Sequence, residues 1–178
     1  MKDDIKEVLY TEEQIAQRVK ELGAQINKDY AGKTPLLLGV LKGCFVFFAD
    51  IARRIELDCE IRFLIVSSYG FSSVTSGTVE IGSKLDFEIS GRDVIIIEDI
   101  LDSGVTLSTL KELVLSHNPS SLKICAMLDK TVRRQIPIDA DYVGFKCPDE
   151  FLVGYGLDYA ERYRNLPYVA SLKPEVYA

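Results

Sequence analysis

An uninterrupted apolar run at residues 94–97, Val-Ile-Ile-Ile, ends at two adjacent acids, Glu98 and Asp99. A short continuous run of β-branched residues is typical of a buried strand, and we expect this strand to stop at the acids. The small-residue loop 102–106 comes next, and a helical pattern covers residues 107–116. A strand that feeds a short loop and then a helix is the unit from which parallel sheets are built. The segment therefore predicts an α/β fold.

Strands and helices alternate along the rest of the chain in the same way. Thr11 begins a predicted helix that runs to about Asn27 and carries apolar residues at helical spacing. A second helix is predicted at residues 44–55, and further strands at 35–40, 59–66, 79–81, 87–89, 122–128, 142–145 and 151–155. The apolar character of several of these strands favours a mostly parallel sheet with helices on both faces. The 178 residues suffice for one such domain.

Composition excludes several classes of protein. The formal charge of −6 disfavours a nucleic-acid-binding surface. No apolar run approaches the ~20 residues of a membrane span, and the first residues lack a secretory signal, so we expect a cytoplasmic protein with no membrane partner. The four cysteines have no Cys-x-x-Cys spacing and are expected to be reduced. The single histidine, His117, stands where a helix should end, and a role as general base is the minority interpretation.

The predicted helix 44–55 is apolar nearly all round. Surface helices keep a polar face, so this one should be buried on two sides. Exposure of Phe45, Phe47 and Phe48 would leave an apolar patch that is unusual on a monomer. We therefore expect this helix to contact a second subunit, in a homodimer or a homotetramer.

Residues able to bind a phosphorylated sugar cluster at one edge of the predicted sheet, where parallel strands end and ligands bind. Backbone N–H groups of the loop 102–106 and the dipole of the following helix can hold a phosphate. Glu98 and Asp99 can accept hydrogen bonds from ribose hydroxyls. Lys42 and Gly43 follow another strand and can present a cation and N–H groups to a pyrophosphate. The alternatives are an ordinary loop with a helix N-cap at 102–104 and a solvated turn at Lys42.

Two other strand ends carry groups suited to a heteroaromatic base. Lys130 can donate to a carbonyl oxygen, or it is a surface lysine paired with Asp129. Phe151 can stack on a ring, or it belongs to the core. Asp158 can bind Mg²⁺, which commonly takes one or two protein carboxylates, or it caps a helix. The Ser-, Thr- and Gly-rich residues 71–77 suggest a mobile loop.

Two long motifs resemble those of known enzymes. Glu98-Asp99, two apolar residues, Asp102-Ser103-Gly104, one residue and Thr106 resemble the 5-phosphoribosyl-1-pyrophosphate (PRPP) signature of type I phosphoribosyltransferases. Residues 148–168 resemble the C-terminal signature of hypoxanthine-guanine phosphoribosyltransferases. The short chain, which we expect to lack an N-terminal extension, looks like the bacterial branch of that family. The resemblance covers about residues 8–172. It implies one domain over residues 1–178, with a core at about 8–145 and a small purine-binding hood formed by the N-terminal segment and about 146–178.

The resemblance also assigns roles to individual residues. The PRPP and phosphate group consists of Lys42, Gly43, Glu98, Asp99, Asp102, Ser103, Gly104, Val105, Thr106 and Arg164. The purine group consists of Lys130, Phe151 and Leu152, and the Mg²⁺ group consists of Asp158, Glu98 and Asp99. Asp102 would transfer the proton at purine N7, and Ser68 and Tyr69 would lead a loop that closes over the reaction. The family's turn often carries a cis peptide before the lysine, a point that the sequence leaves open.

The activity implied by the resemblance is purine salvage with Mg²⁺. PRPP and a 6-oxopurine, hypoxanthine or guanine, would give IMP or GMP and pyrophosphate. A xanthine phosphoribosyltransferase would share most of the site, because the base's 2-substituent meets backbone near Leu152. A PRPP- or nucleotide-sensing regulator that binds RNA is the alternative from another class, and the negative charge disfavours it.

Overall fold

Two sheets make up the framework of this computed structural model, which describes residues 1–66, 85 and 87–177. The strands are β1 Ile5–Tyr10, β2 Leu36–Leu41, β3 Glu60–Ile65, β4 Asp93–Leu101, β5 Ser121–Asp129, β6 Tyr142–Lys146, β7 Leu152–Val153 and β8 Val169–Leu172. The helices are α1 Glu12–Asp29, α2 Phe45–Ala52, α3 Val105–Ser116 and α4 Pro174–Tyr177. The larger sheet has the order β3-β2-β4-β5-β6 and is parallel throughout. The predicted α/β class is confirmed.

Helices cover both faces of the larger sheet. Leu37 and Ile95 point to one face and share a core with α1 and α2, whereas Leu38 and Ile96 point to the other and pack with α3. Successive side chains of a strand point to opposite faces, so continuous apolar runs are needed when both faces are covered. These runs were therefore a sound basis for predicting the sheet.

The first helix follows its sequence pattern closely. Thr11 caps α1 through a capping box with Gln14, and the helix extends to Asp29, two residues beyond the expected end. Its apolar stripe is buried, as predicted. The members of that stripe are Ile15, Val19, Leu22 and Ile26.

The smaller sheet joins the two ends of the chain. Strand β1 pairs with β8, which also pairs with β7, all antiparallel. The strand expected at residues 151–155 is reduced to Leu152–Val153. Neither β1 nor β8 was predicted. The reason is that β1 is mostly exposed and irregular in register, and β8 has only four residues.

Two strand predictions are wrong. Strand β4 continues beyond Glu98 and Asp99 to Leu101, because β5 is long enough to pair with it as far as Asp129. Residues 87–89 form no strand, and Ile89 is instead buried in the core beside α3. The strand expected at 79–81 and the loop with Ser68 and Tyr69 lie outside the described residues.

The expectation for α2 needs a correction. Phe47 and Phe48 are buried against the chain's own core, with Phe48 also beside Phe63 of β3. The helix ends at Ala52, and only Phe45 of the three phenylalanines is exposed. Folding of the single chain therefore covers most of the surface that suggested a subunit contact. A continuous apolar helix was a correct sign of burial, but much of that burial is internal.

The remaining expectations concern thiols, the histidine and membranes. All four cysteines are free, and Cys59 is the only one that is not fully buried. His117 is the C-cap of α3, and its ring contacts the Leu113 carbonyl. In the described part of the chain, no helix combines the length and the apolar character needed to cross a bilayer.

Candidate active site

The carboxyl ends of three neighbouring strands converge at one edge of the larger sheet. Strand β2 ends at the turn with Lys42 and Gly43, β4 carries Glu98 and Asp99, and β5 leads into Lys130. Ligands of open α/β sheets bind at such an edge. The strand order β2-β4-β5 therefore brings together residues that lie far apart in the sequence.

The turn after β2 is unusually crowded. The Leu41–Lys42 peptide is cis. A Cβ atom on Gly43 would lie 1.6 Å from Asp99 Oδ2, and one on Gly156 would lie 2.1 Å from the Gly43 carbonyl oxygen. Both positions therefore require glycine. Because Gly43 and Gly156 have no side chains, the turn lies directly between β4 and the loop that precedes Asp158.

Glu98 and Asp99 form a half-buried acidic pair beside this turn. Burial and the proximity of Asp99 raise the pKa of Glu98 well above its usual value. Burial raises the pKa of Asp99 to about 6, although the Ile100 N–H, 2.7 Å away, and Arg164 favour its charged form. Glu98 Oε2 has no hydrogen-bond partner among the described residues. A ligand that supplies hydroxyl donors or a cation would stabilise the charged pair.

The loop after β4 turns sharply into α3. Gly104 is the helix N-cap with a φ of 85°, and because it has no side chain it does not cap the first turn. The N-cap therefore lies within the expected residues 102–104, and the Ser103 hydroxyl accepts from the Val105 N–H at 3.4 Å. A Cβ on Gly104 would lie 2.7 Å from Ile138 and 2.9 Å from the Ile136 carbonyl oxygen. Backbone N–H groups at a helix start without a side-chain cap suit an anion such as phosphate.

A second segment holds this loop, and the sequence analysis missed it. Arg134 Nε donates to the Asp102 carbonyl oxygen at 3.1 Å, and the same guanidinium forms an ion pair with Asp129. The N–H groups of Gln135 and Ile136 both donate to the Ser103 carbonyl oxygen, at 2.9 and 3.2 Å. No local pattern signals these contacts, because they depend on how the chain returns after β5.

Lys130 lies at the junction of the two sheets. It is only 4% exposed. Its Nζ donates to the Glu150 carbonyl oxygen at 2.8 Å and lies 4.0 Å from Asp102 Oδ2. The alternative of a surface lysine paired with Asp129 is wrong, since Arg134 takes that carboxylate. An ammonium group has three donors, so Lys130 retains the capacity to bind a further acceptor.

The segment expected to contact a base lies beside Lys130. Phe151 is half-buried, stacks on Tyr177 with centroids 4.9 Å apart, and meets Tyr159 edge-on at 5.3 Å. Leu152 is buried in β7, next to β8. The aromatic contact with Tyr177 at the end of α4 was not predicted. Tyr177 lies outside the two sequence motifs, so no sequence pattern indicated this contact.

Asp158 and Arg164 approach the turn at Gly43 from the opposite side. Asp158 accepts from the Glu161 N–H at 2.9 Å and pairs with Arg164, also at 2.9 Å. No helix begins at Asp158 in the structure, so the expectation of an N-cap is wrong. Arg164 donates to the Gly156 carbonyl oxygen at 2.9 Å. This anchors the cation next to the turn that carries Lys42.

The comparisons with known proteins agree with this geometry. The family model of the phosphoribosyl transferase domain matches residues 7–160. The chain belongs to the phosphoribosyltransferase family. The resemblance drawn from the two sequence motifs is thereby confirmed.

Relatives cover the whole chain. It is 54% identical over 177 residues to the hypoxanthine-guanine phosphoribosyltransferase of Bacillus subtilis (strain 168), covering 99% of this chain and 98% of that protein. The crystal structure of a hypoxanthine phosphoribosyltransferase from Staphylococcus aureus has a TM-score of 0.94 at 52% identity, covering 100% and 97% of the two chains. The bifunctional protein TilS/HprT of Listeria innocua is 50% identical, and this chain spans 28% of its length.

A divalent metal cofactor is consistent with the phosphoribosyltransferase family. Within residues 1–66, 85 and 87–177, no group of three potential ligands forms a ready-made metal site. The acids do fit a metal that is held partly by substrate. Glu98 Oε2 is buried without a partner in the described chain, and Asp158 offers a second carboxylate near Arg164. Magnesium commonly uses one or two carboxylates together with phosphate oxygens and water.

The raised pKa of Asp99 predicts a specific pH dependence of stability. A carboxyl group whose pKa is raised on folding makes the protein less stable as the pH rises. The loss occurs between the unfolded-state pKa of 3.8 and the folded-state pKa of about 6. Asp99→Asn removes this loss. Relative to wild type, its free energy of unfolding should therefore increase by about 2–3 kcal/mol between pH 4 and pH 7.5. Urea denaturation at both pH values measures the difference. Asp139→Asn, which removes an exposed carboxylate elsewhere, is the control, and a gain for Asp99→Asn that is the same at both pH values would contradict the prediction.

Proposed function

We propose that this phosphoribosyltransferase acts in purine salvage. It transfers the 5-phosphoribosyl group of PRPP to N9 of hypoxanthine or guanine, giving IMP or GMP and pyrophosphate. The observation that carries this proposal is the position of Lys130. Its buried ammonium lies between Asp102 and the segment of Phe151, next to the loop suited to a phosphate. Relatives with the name hypoxanthine-guanine phosphoribosyltransferase support the same substrates.

The purine is held between the larger sheet and the hood. Lys130 donates to the 6-oxygen of the base, Phe151 stacks on its ring, and the backbone of Leu152 pairs with its edge. The hood consists of the N-terminal segment and residues 146–178, over a core of residues 8–145. The pairing of β1 with β8 and of β8 with β7 supports this division.

PRPP occupies the edge where β2 and β4 end. Its ribose hydroxyls donate to Glu98 and Asp99, and its pyrophosphate lies between Lys42, Gly43 and Arg164. Its 5′-phosphate accepts from the loop before α3, whose members are Ser103, Gly104, Val105 and Thr106. The lack of a side-chain cap at Gly104 supports the phosphate position, and the unpartnered Glu98 oxygen supports the ribose position.

The reaction begins with lengthening of the bond between C1 of the ribose and the pyrophosphate oxygen. Positive charge develops on the ribose ring, while Lys42 and Arg164 stabilise the negative charge of the leaving group. N9 of the base then bonds to C1, and Asp102 accepts the proton from N7. Asp158, Glu98 and Asp99 would hold Mg²⁺, which would supply further positive charge to the pyrophosphate. The expected closure by a loop with Ser68 and Tyr69 concerns residues outside those that the structure describes.

The enzyme acts in the cytoplasm as a homodimer, or as a tetramer formed from two dimers. An exposed apolar stripe supports this assembly. The stripe, and not the buried Phe47 and Phe48, is now the reason to expect it. The stripe runs along one face of the edge strand β3 and continues onto α2. Its members are Phe45, Ile61, Phe63 and Ile65, each between 44% and 62% exposed. A second copy of the chain would cover it by a self-complementary two-fold contact.

The role of Asp102 is tested by Asp102→Asn, which keeps the size of the side chain but removes the proton acceptor. Wild type should convert PRPP and hypoxanthine to IMP and pyrophosphate in the presence of Mg²⁺. The variant should lose about 10²- to 10⁴-fold in kcat, because proton transfer loses its acceptor. Its PRPP affinity should change little. Spectrophotometric turnover and PRPP titration provide both values, and near-normal turnover by the variant would remove Asp102 from the mechanism.

The proposed assembly is tested by Ile65→Glu, at the most exposed position of the apolar stripe. A buried, unpaired charge at the interface should raise the dimer dissociation constant about tenfold or more, a loss of ~1.4 kcal/mol or more. Sedimentation velocity across a concentration series measures it. Leu115→Glu is the matched control, since Leu115 is an exposed apolar residue at the end of α3. A wild-type protein that stays monomeric at micromolar concentration would refute the assembly.

A further inference from the structure

One carboxylate is shared by both cations of the pyrophosphate position. Glu161 Oε1 lies 3.0 Å from Lys42 Nζ, and Glu161 Oε2 lies 3.2 Å from a terminal nitrogen of Arg164. The two cations also lower the pKa of Glu161, so the carboxylate is charged at neutral pH. Among the described residues, Glu161 is the one acid that pairs with both of these cations.

The shared carboxylate lines a cavity. Lys42, Glu161 and Arg164 line this space of about 390 Å³ together with apolar side chains of β2, β3 and α2. The side chains of Lys42 and Glu161 are about two-thirds exposed, at 66% and 65%. The ion pair is therefore accessible to a ligand that arrives from solvent.

We propose that Glu161 is an internal competitor of pyrophosphate. In the free protein its carboxylate occupies Lys42 and Arg164, the pyrophosphate of PRPP displaces it, and it returns to the cations as the product leaves. The inference rests on the proposed function and adds a residue that controls binding and release of one product. Glu161 takes no part in bond formation.

The physical basis is competition between anions for the same two cations. A carboxylate and a pyrophosphate repel each other, so both cannot occupy this position without loss of binding energy. Exposed ion pairs are individually weak, so the carboxylate is readily displaced by an anion of higher charge. A ligand with one phosphoryl group replaces fewer of the contacts that Glu161 makes with Lys42 and Arg164 than a ligand with two. Glu161 therefore favours the binding of a ligand that carries a pyrophosphate group. It also speeds the dissociation of the pyrophosphate product.

Glu161→Gln tests the inference, because it removes the charge and keeps the size of the side chain. The dissociation constant of inorganic pyrophosphate, measured by isothermal titration calorimetry with Mg²⁺ present, should fall about two- to fivefold, the scale of a lost exposed ion pair. The KM for PRPP and the inhibition constant of pyrophosphate should fall by a similar factor. The kcat should stay the same or fall, since product release slows.

The matched control is Glu21→Gln. Glu21 forms an exposed ion pair with Arg18 on α1, at 2.8 Å, so this variant also removes one negative charge and one ion pair. It should leave pyrophosphate affinity unchanged, which separates the local effect from the change in net charge. The gain in pyrophosphate affinity that Glu161→Gln produces should also decrease at high salt, because screening weakens the competition between the two anions.

Two results would overturn the inference. Unchanged affinity for pyrophosphate in Glu161→Gln would show that the carboxylate does not compete. Weaker affinity would show that Glu161 holds Lys42 and Arg164 in place for the ligand. Failure of the proposed function has a different signature, since wild type would then form no IMP from PRPP and hypoxanthine, whatever the affinity of either protein for pyrophosphate.

Discussion

The buried ammonium of Lys130 joins the parts of this site that come from different sheets. A buried charge is costly unless it is paired or hydrogen-bonded, and Lys130 satisfies this need across the junction. Its donor reaches the Glu150 carbonyl oxygen, just before the strand of the hood, and faces Asp102 in the phosphate loop. Lys130 thus helps to orient the hood and to fix the proposed proton acceptor, whose loop is also held by Arg134 and by the segment that follows it.

The second constraint is the lack of space around Gly43. The turn after β2 fits between Asp99 and Gly156 only because neither glycine has a side chain. This close packing places the Lys42 cation near Arg164 and removes much of the acidic pair from solvent. Burial then raises the pKa of both acids, which prepares them for a ligand that favours their charged form. The crowding around Gly43 and the raised pKa values of Glu98 and Asp99 therefore have the same structural cause.

Much of the larger sheet could be predicted because its strands are continuous apolar runs, and their ends revealed Lys42, Glu98 and Lys130. The smaller sheet was harder to foresee, since β1 and β8 pair across almost the full length of the chain. The orientation of α2 was beyond the sequence pattern as well. An apolar helix indicates burial but does not tell whether its own chain or a partner covers Phe47. Arg134 and Glu161 were missed because their importance comes from distant partners.

The central claim is that Lys130 selects a base with an oxygen at position 6. Adenine presents an amino donor to the same ammonium, and a buried donor left without an acceptor is strongly unfavourable. The most direct measurement is kcat/KM of the purified protein for hypoxanthine and for adenine, at saturating PRPP and Mg²⁺. Hypoxanthine should be preferred by about 10⁴-fold or more. Comparable values for the two bases would contradict it.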